Sequence, residues 1–436
     1  GRDLEFTLEI YLIILFLLSY FGGDMNIGRR KLLKWLTGMT LTWPLLAHAV
    51  RSRPGKTPAQ ARKNASGGML TLFLCGDVMT GRGIDQILPY KSDPRIYEPH
   101  LRDARDYIAL AERANGPIPR TVPYAYIWGD ALAELARRAP DARIVNLETA
   151  VTLQDTPVPK GINYRMHPAN VDVLTAAGID CCALANNHML DWGPEGLRET
   201  LAVLQRAGIQ TAGAGNDLAQ AQAPAIVRVA GKGRVLVFAF GSRYSGIGLN
   251  WGATRSAPGI DLLSDLSSDT VTAIGARVAQ VKQPGDIAVA SIHWGGNWDY
   301  EISAAQREFA RGLIDRAGID VVHGHSSHHV KGIEVYRERP ILYGCGDFLS
   351  DYEGIRGHEE YRSDLGLMYL PTLDAASGQL SSLELVPTRV RKFRIQRASP
   401  RETDWLADVL NREGRKLGTG VRRDGQGRLW LAWRRP

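Results

Sequence analysis

The amino-acid sequence predicts an α/β protein in which β-sheets are packed between helices. From Met69 onward, short apolar runs alternate with stretches that have the 3.6-residue period of helices. The runs are continuously apolar, as expected for strands that are covered on both faces. With 44% apolar and 23% charged residues in 436, the composition is that of a globular protein and excludes disordered, collagen-like and multi-span membrane classes.

The predicted elements alternate in a regular order along the chain. Strands are predicted at 70–77, 142–148, 179–188, 233–242, 285–295, 319–325 and 340–347. Helices are predicted at 130–139, 195–207, 267–281, 303–317 and 401–416. A possible hairpin follows around Asp424 and Gly425. We assign the main domain to residues 69–390 and interpret 391–436 as a basic C-terminal appendage.

The N-terminal region is typical of an exported protein. Residues 25–49 begin with a basic segment that contains Arg29 and Arg30, and an apolar run follows it. The segment ends in the small-x-small sequence at 47–49. This order predicts a signal peptide, and the arginine pair resembles a twin-arginine signal. The expected location is therefore the periplasm or the cell envelope.

Two further segments flank the predicted signal peptide. Residues 50–68 are polar and contain proline and glycine, which predicts a linker. Residues 1–24 include a second apolar run, which is too short to span a bilayer as a helix. They are interpreted as an upstream extension, with Met25 as the true start, or as a membrane anchor.

The net charge of +7 is concentrated at the two ends of the chain. Residues 25–63 contain nine basic and no acidic residues, and residues 389–436 contain fourteen basic and five acidic ones. The body between them is therefore mildly acidic. This distribution fits a signal segment and a cationic tail. Because the sequence also has no helix-turn-helix, zinc-finger or RNA-binding motif, we expect no nucleic-acid partner.

Candidate metal-ligating side chains lie at the carboxyl ends of five of the predicted strands. They are Asp77, Glu148, Asn187 with His188, His293, and the group His323, His325 and His328. Residues at the carboxyl ends of strands in α/β sheets converge on ligands even when they are far apart in sequence. Four histidines within residues 323–329 are far more than ten in 436 would place there by chance. Imidazoles, carboxylates and an amide oxygen form a mixed N/O ligand set, so these residues predict a site for divalent metal ions.

Such a site supports hydrolysis. Two divalent ions about 3.5–4 Å apart, bridged by a carboxylate, lower the pKa of a shared water and hold the attacked group. A histidine beside the ions can protonate the leaving group. Each residue also has a simpler interpretation: a Gly-Asp turn for Asp77, a helix cap for Asn187 and a structural histidine for His293.

An ordered series of motifs resembles a known family. The segments are GDVMTGRG, NLETAVT, ANNHMLDWG, HWGGNWDY, VVHGHSSHHVKGIEVY and ILYGCGDF. They resemble the CapA-type family of capsule and poly-γ-glutamate biosynthesis proteins from about Thr71 to Tyr352. The resemblance implies the metallo-dependent phosphatase-like fold, a layered sandwich of β-sheets flanked by helices. It also implies one or two divalent ions, with Mn, Zn or Fe expected.

The resemblance implies a role for each candidate residue. The implied metal ligands are Asp77 on the first ion, Asn187 and His293 on the second, Glu148 as the bridge, and His325 and His328 with one ligand for each ion. His188 would be the general acid. His323 is a reserve ligand, although a hydrogen bond to a ligand is the interpretation that we favour for it.

The sequence departs from the pattern of ordinary metallophosphatases. Met79 stands where they have a histidine, so the first ion would lose a ligand. Glu148 stands where they have an aspartate. The histidines are spaced His-x-x-His rather than His-x-His, which leaves open which of the three in 323–328 face the metal. Asp347 stands where CapA-type sequences usually have asparagine, and we interpret it as a turn residue in preference to an extra carboxylate near the site.

Two arginines are candidates for substrate contacts. Arg82 and Arg165 could bind an anionic substrate, because arginine matches carboxylate and phosphate groups bidentately. The alternative for both is a solvated arginine or one that pairs within the fold.

Together these features predict an exported, CapA-type, metal-dependent hydrolase-like protein of capsule, poly-γ-glutamate or other cell-surface polymer metabolism. Its expected partners are an anionic polymer or phosphoester substrate and a membrane-associated polymer synthesis complex. The alternative is a non-catalytic subunit of an anionic-polymer synthesis and export complex, with a degenerate metal site. Met79 favours this alternative, whereas Glu148, Asn187, His188 and His293 favour catalysis.

Overall fold

The structure is a computed structural model, and it describes residues 68–434. The predicted extension at 1–24, the predicted signal peptide at 25–49 and all but the last residue of the predicted linker lie outside the described residues. Export and the N-terminal boundaries therefore stay predictions. Within residues 68–434, the helices are too short or too polar to cross a bilayer.

The described chain alternates strands and helices from end to end. The strands are β1 (Met69–Val78), β2 (Ala142–Leu147), β3 (Ala150–Val151), β4 (Arg165–Met166), β5 (Cys181–Ala183), β6 (Gln210–Ala212), β7 (Ala214–Gly215), β8 (Ala225–Val229), β9 (Gly233–Ser242), β10 (Gly259–Ile260), β11 (Leu262–Leu263), β12 (Ile287–His293), β13 (Val321–His325), β14 (Ile333–Tyr336), β15 (Arg339–Leu342), β16 (Asp347–Leu349), β17 (Leu365–Asp374), β18 (Leu380–Val390), β19 (Ile395–Arg397), β20 (Thr419–Arg423) and β21 (Leu429–Trp433). The α-helices are α1 (Arg82–Asp85), α2 (Arg105–Asn115), α3 (Asp130–Arg138), α4 (Asp172–Thr175), α5 (Gly193–Arg206), α6 (Leu218–Gln222), α7 (Ser268–Val281), α8 (Ala304–Ala317) and α9 (Pro400–Arg415).

Two large sheets organise the described residues. The larger has the order β20-β21-β18-β17-β1-β2-β5-β6, with β16 beside β1 and β19 beside β18. The smaller has the order β11-β9-β12-β13-β15-β14, with β8 beside β9. Strands β1, β2, β5 and β6 run parallel to one another, as do β9, β12, β13 and β15. Parallel strands need crossover connections, which helices provide except between β13 and β15, where β14 lies in the connection.

The alternating side chains of β9 show how the layers pack. Val237 belongs to the core that also contains Leu74 of β1, so it faces the larger sheet. Phe238, the next residue, packs in a second core with Ile274 of α7 and Phe309 of α8. Successive side chains of a strand point to opposite faces. The smaller sheet is therefore a layer between the larger sheet and these two helices.

Local signals explain where the covering helices begin and end. Helix α8 starts at a capping box in which Ser303 and Gln306 each bond the other's backbone N–H, and it stops at Gly318 with a φ of 71°. Helix α9 starts at the same kind of box, formed by Ser399 and Glu402. Capping boxes satisfy backbone donors that a helix start leaves free.

Close contact between two strands depends on a pair of glycines. A Cβ atom at Gly76 of β1 would lie 1.8 Å from the carbonyl oxygen of Gly346. Gly346 itself has a φ of +76°, which favours glycine. The small residues let β1 and β16 lie side by side, and each glycine is followed directly by an aspartate, Asp77 or Asp347.

The predicted α/β class is confirmed, and most predicted elements are present. Residues 179–188 are a strand only at β5, since the backbone N–H of Asn186 turns back to bond the Leu184 carbonyl. The hairpin of β17 and β18 was not predicted, and it contains Pro371 and Pro387, a residue type that is uncommon inside strands. Strands β19, β20 and β21 join the larger sheet, so the boundary that we placed at 391 does not separate two sheets.

Candidate metal centre

The carboxyl ends of four strands bring the main candidate ligands together. Asp77 is the last residue but one of β1, and Glu148 directly follows β2. His293 and His325 end β12 and β13 and are paired in register. All four residues are buried, with exposures of 3% or less.

These side chains face a common volume. Ligand atoms of Asp77, His293 and His325 lie within 4.8 Å of one another. Nδ1 of His293 is 2.9 Å from Nδ1 of His325, which is 3.9 Å from Oδ1 of Asp77. Oε1 of Glu148 is 3.9 Å from Nε2 of His293. Two imidazoles and two carboxylates thus converge as metal ligands do.

A chain of hydrogen bonds fixes the nitrogen that His325 presents to this volume. Burial lowers the pKa of His323 to about 4, so its imidazole is neutral near pH 7. Its Nε2–H donates to the Cys75 carbonyl across 2.7 Å, because a carbonyl only accepts. Nδ1 of His323 then accepts from the Ser291 hydroxyl at 3.1 Å, and that hydroxyl accepts from Nε2–H of His325 at 2.9 Å. Nδ1 of His325 keeps a lone pair for a metal, and His323, with both nitrogens engaged, orients it.

Burial also controls the charges of the converging groups. It lowers the pKa of His293 and His325 well below the usual value, so both imidazoles are neutral and able to bind a metal. It raises the pKa of Asp77 to about 7, and the Asp347 carboxylate adds to this effect. The pKa of Glu148 is raised by burial and then by Asp77 and Asp347. Carboxylates held together away from water are stabilised by a bound cation.

Asparagines position the carboxylates and offer one free ligand atom. Asn146 donates from Nδ2 to Oδ1 of Asp77 at 2.7 Å. Asn186 donates from Nδ2 to Oδ1 of Asn146 at 3.0 Å and to the Leu147 carbonyl at 2.9 Å. Oδ1 of Asn187 is buried and has no hydrogen-bond partner within residues 68–434. A buried oxygen without a hydrogen-bond partner destabilises the folded state by roughly 1–3 kcal/mol, and a metal ion bound to the oxygen would offset this cost.

His188 lies beside the ligands in a fixed orientation. Its ring stacks on Tyr164 with centroids 3.7 Å apart, and its Nδ1 is 2.6 Å from Oδ2 of Asp191. Lys160 Nζ lies 2.6 Å from the other oxygen of Asp191. Burial raises the pKa of Asp191 to about 7, and Lys160 acts against this by favouring the carboxylate. Nε2 of His188 points into the centre, 3.8 Å from Oε1 of Glu148, and is the nitrogen available for proton transfer.

His328 and Asp347 form a pair next to Asp77. Nδ1 of His328 is 2.9 Å from Oδ1 of Asp347, and both residues are buried. Burial disfavours the charged imidazole, but the Asp347 carboxylate outweighs burial and raises the pKa of His328. Asp347 starts a strand beside β1 rather than only forming a turn. The interpretation as a turn residue, which we favoured from the sequence, is therefore corrected.

Met79 occupies a buried position where ordinary metallophosphatases have a histidine. It is 1% exposed, and its sulfur accepts a hydrogen bond from the Gly81 backbone N–H at 3.1 Å. A thioether is a poor ligand for hard divalent ions. The expectation that Met79 weakens one of the two ion positions stays in force.

The two arginines named from the sequence have many contacts inside the fold. Arg82 is 3% exposed, and its guanidinium pairs with Glu98 and Asp351. The guanidinium of Arg165 lies 4.0 Å from the ring centre of Trp192 and donates to the Gln154 carbonyl at 2.6 Å. These contacts describe arginines that pair within the fold, the alternative given for both. A substrate contact stays a prediction.

Several residues of the centre were not identified from the sequence. Asn146 and Ser291 are polar residues inside continuous apolar strands, and that interruption is a signal that could have identified them. Asp191 follows His188 by three positions, a spacing that allows contact within one turn of chain. Lys160 lies in a loop, and its position next to Asp191 had no sequence signal.

The donor set present fits divalent metal ions. The His293 and His325 imidazoles are neutral, and the carboxylates of Asp77 and Glu148 lie beside these rings. Asn187 has a buried oxygen without a hydrogen-bond partner among residues 68–434. Mixed nitrogen and oxygen ligands of this kind bind Zn, Mn and Fe.

Comparison with known sequences agrees with this arrangement. Residues 71–352 match the family described as bacterial capsule synthesis protein PGA_cap. The chain belongs to this family. The matched range covers most of the described chain and includes every residue of the centre, from Asp77 to Asp347.

Individual relatives extend the comparison to named proteins. A probable polyglutamine synthesis accessory protein of Mycobacterium tuberculosis is 49% identical over 355 residues, which cover 81% of this chain and 93% of that protein. The PGA biosynthesis protein CapA of Bacillus subtilis is 27% identical over 300 residues, covering 68% of this chain and 67% of that protein. The capsule biosynthesis protein CapA of Bacillus anthracis is 24% identical over 397 residues, covering 89% and 80%.

Proposed function

We propose that the chain is a metal-dependent hydrolase that acts on an anionic polymer during the synthesis of a capsule or a poly-γ-glutamate-type cell-surface polymer. The observation that carries the proposal is the convergence of Asp77, Glu148, His293 and His325 in one buried volume. The polymer class is supported by relatives whose names refer to polyglutamine synthesis, PGA biosynthesis and capsule biosynthesis.

The chain's own residues divide the work of hydrolysis. The neutral His293 and His325 and the carboxylates of Asp77 and Glu148 would hold a divalent ion. That ion would supply Lewis-acid chemistry, which acidifies water and polarises the attacked group. His188 exchanges a proton through Nε2, on the side of Glu148. Asp191 accepts from Nδ1–H of His188 and so keeps Nε2 directed into the centre.

A cavity next to the centre suits a polymer that bears carboxylates. Its volume is about 640 Å³, and its lining includes His328, five arginines, among them Arg356 and Arg391, and the four carboxylates Glu353, Glu359, Asp364 and Glu402. Arg356 and Arg391 are exposed, and neither forms an ion pair in the described part of the chain. Free guanidinium groups bind carboxylates bidentately. An anionic chain bound in this cavity would lie beside His328 and could pair with Arg356 and Arg391 without breaking an ion pair among residues 68–434.

A second candidate function is a non-catalytic subunit of a polymer synthesis and export complex. Met79 favours it, because the buried thioether replaces a nitrogen ligand. Under this alternative the centre binds one ion or an anionic chain and releases no product.

Metal analysis with an activity assay separates the two functions. The full chain, loaded with Mn²⁺ or Zn²⁺, would be incubated with poly-γ-glutamate and with a chromogenic phosphodiester. We expect the wild type to bind stoichiometric metal and to turn over substrate. Turnover should be lost in His188→Ala, while His100→Ala, a change at an exposed histidine, should leave metal content and turnover unchanged. Bound metal with no turnover of either substrate would support the non-catalytic subunit. A chain that binds no metal would contradict both the hydrolase and the metal centre.

The proposal also places the protein outside the cytoplasm, in the periplasm or cell envelope. The basic segment with Arg29 and Arg30 followed by an apolar run supports this location. In the native host, Arg29→Lys with Arg30→Lys is expected to leave an uncleaved precursor in the cytoplasm. Normal processing of that variant would exclude the twin-arginine route.

A further inference from the structure

Asp347 lies beside Asp77 on the neighbouring strand. The two residues are paired in register across the parallel strands β1 and β16, and the Asp77 backbone N–H donates to the Gly346 carbonyl at 2.9 Å. Paired residues of neighbouring strands project to the same side, about 5 Å apart. Two buried carboxylates thus start from adjacent backbone positions, at 1% and 2% exposure.

Only one of the two Asp347 carboxylate oxygens has a partner. Oδ1 lies 2.9 Å from Nδ1 of His328. Oδ2 is buried and accepts no hydrogen bond from any of residues 68–434. A buried carboxylate oxygen without a donor is strongly unfavourable unless a cation lies next to it. The Asp347 charge also acts on Asp77 and on Glu148, so three carboxylates share this region.

We propose that Asp347 is a direct metal ligand which, with Asp77 and His328, forms a second ion position next to the one formed by Asp77, His293 and His325. The proposal rests on the metal centre proposed above and adds a ligand where Met79 has removed one. The separation of Nδ1 of His328 from Oδ1 of Asp347 fits this role. Two ligands that are each about 2.1 Å from one octahedral ion lie about 3.0 Å apart.

The two positions differ in the chemistry of their ligands. The Asp347 position has two carboxylates and one imidazole, a set that favours a hard ion such as Mn²⁺. The His293 position has two imidazoles with a carboxylate, a set that suits Zn²⁺ as well. The centre therefore takes an oxygen-preferring divalent ion at Asp347.

A cysteine at position 347 tests direct ligation. Co²⁺ bound to a thiolate absorbs in the near ultraviolet, and Co²⁺ near an unbound thiol does not. The full-length Asp347→Cys variant, titrated with Co²⁺ after metal removal, is expected to gain this absorption over the wild type, which has the buried native thiols of Cys75 and Cys345. Asp286→Cys is the matched control. Asp286 is also a buried carboxylate, but it lies before β12, about 23 Å from His293 along the strand.

Metal stoichiometry provides a second measurement, which uses a change of similar size that removes both carboxylate oxygens. We expect two Mn²⁺ per chain in the wild type and one in Asp347→Leu. The metal-induced rise in melting temperature should shrink in that variant, and the melting curve itself checks that it is folded. His293→Ala should lose the other ion.

The outcomes distinguish this inference from the proposed function. Two ions in Asp347→Leu, or full Co²⁺ binding without new absorption in Asp347→Cys, would overturn the role of Asp347. The role of Asp347 would also be overturned if the wild type bound a single ion that is lost in His293→Ala and kept in the Asp347 variants. That outcome would leave the proposed metal centre intact. A wild type that binds neither Mn²⁺ nor Co²⁺ would contradict the proposed metal centre itself.

Discussion

The carboxylates at the amino ends of the parallel strands differ from those at the carboxyl ends in how their charge is balanced. At the amino ends, an aspartate directly precedes each of four strands and accepts a backbone N–H from a neighbouring segment at 2.7–2.8 Å. These residues are Asp141, Asp180, Asp286 and Asp320. Three of them also contact a lysine or arginine at 2.5–3.1 Å. These three carboxylates are balanced by cations within the chain, whereas burial raises the pKa of Asp180, against the effect of the Arg143 backbone N–H and charge.

At the carboxyl ends, the carboxylates lack such balance. Asp77, Glu148 and Asp347 lie close together with the neutral imidazoles of His293 and His325 on one side, and none of the three pairs with a lysine or arginine among residues 68–434. Burial and mutual repulsion raise the pKa of Asp77 and Glu148. One end of the strands thus pairs most of its carboxylates within the fold, and the other end leaves its carboxylates available to the cation that we propose.

The largest expected effect comes from the same chemical change made at the two ends. Glu148→Gln removes the carboxylate that lies between His293 and His188, and we expect loss of bound metal and a fall in kcat of about 10⁴-fold. Asp286→Asn removes a carboxylate at the amino end and should leave metal content and kcat unchanged. Elemental analysis and initial rates would be measured for both variants. Full activity in Glu148→Gln would show that the carboxyl end is not a metal centre.

A smaller loss is expected when only proton transfer is removed. His188→Ala should lower kcat by about 10³-fold while metal content stays at the wild-type value, because Nε2 faces Glu148 without belonging to the convergent ligand set. Asp191→Asn is the companion change and should alter the pH profile of kcat, since Asp191 fixes the orientation of His188. If His188→Ala lost metal as well, His188 would be a ligand and not a proton donor.

The sequence predicted the ends of the strands better than the contacts made there. Asp77, Glu148 and His293 were identified because each polar residue ends an apolar run, a pattern that depends only on local chain order. Which of the closely spaced histidines faces the metal depends on the Cys75 carbonyl, which lies in another sheet. The position of Asp347 next to Asp77 likewise depends on the pairing of two strands, which the local sequence does not show.

The pH dependence of stability should have opposite signs at the two ends. In the folded chain the pKa of Asp77 rises from 3.8 to about 7. Between those values the folded state holds a proton that the unfolded state has lost, so stability falls as pH rises and levels off above about 7. Relative to wild type, Asp77→Asn should therefore gain up to roughly 4 kcal/mol between pH 4 and pH 7, measured by melting in EDTA.

Asp286 provides the opposing case for that experiment. Burial raises its pKa, but the Arg234 guanidinium and the Gln283 N–H outweigh burial and hold it below the usual value. Its contribution is present above the unfolded pKa and is lost as pH falls through the folded pKa. Asp286→Asn should therefore be less stable than wild type at pH 7 and approach it in acid. If Asp77→Asn were also less stable than wild type at pH 7 and approached it in acid, the expected difference between the two ends would be wrong.

The smallest expected effect comes from a lysine at the amino end. Lys232 contacts Asp141 at 2.8 Å, and its side chain is 34% exposed, so Lys232→Ala should cost about 0.5 kcal/mol and lower the melting temperature by about 1–2 °C. Lys160→Ala makes the same change at the carboxyl end, where the lysine contacts Asp191. There we expect a kcat about tenfold lower at nearly unchanged melting temperature, because the lysine acts on His188 through Asp191. A change in metal content or rate in Lys232→Ala would mean that the amino end also takes part in the reaction, and the division of the strands into a structural and a cation-binding end would be wrong.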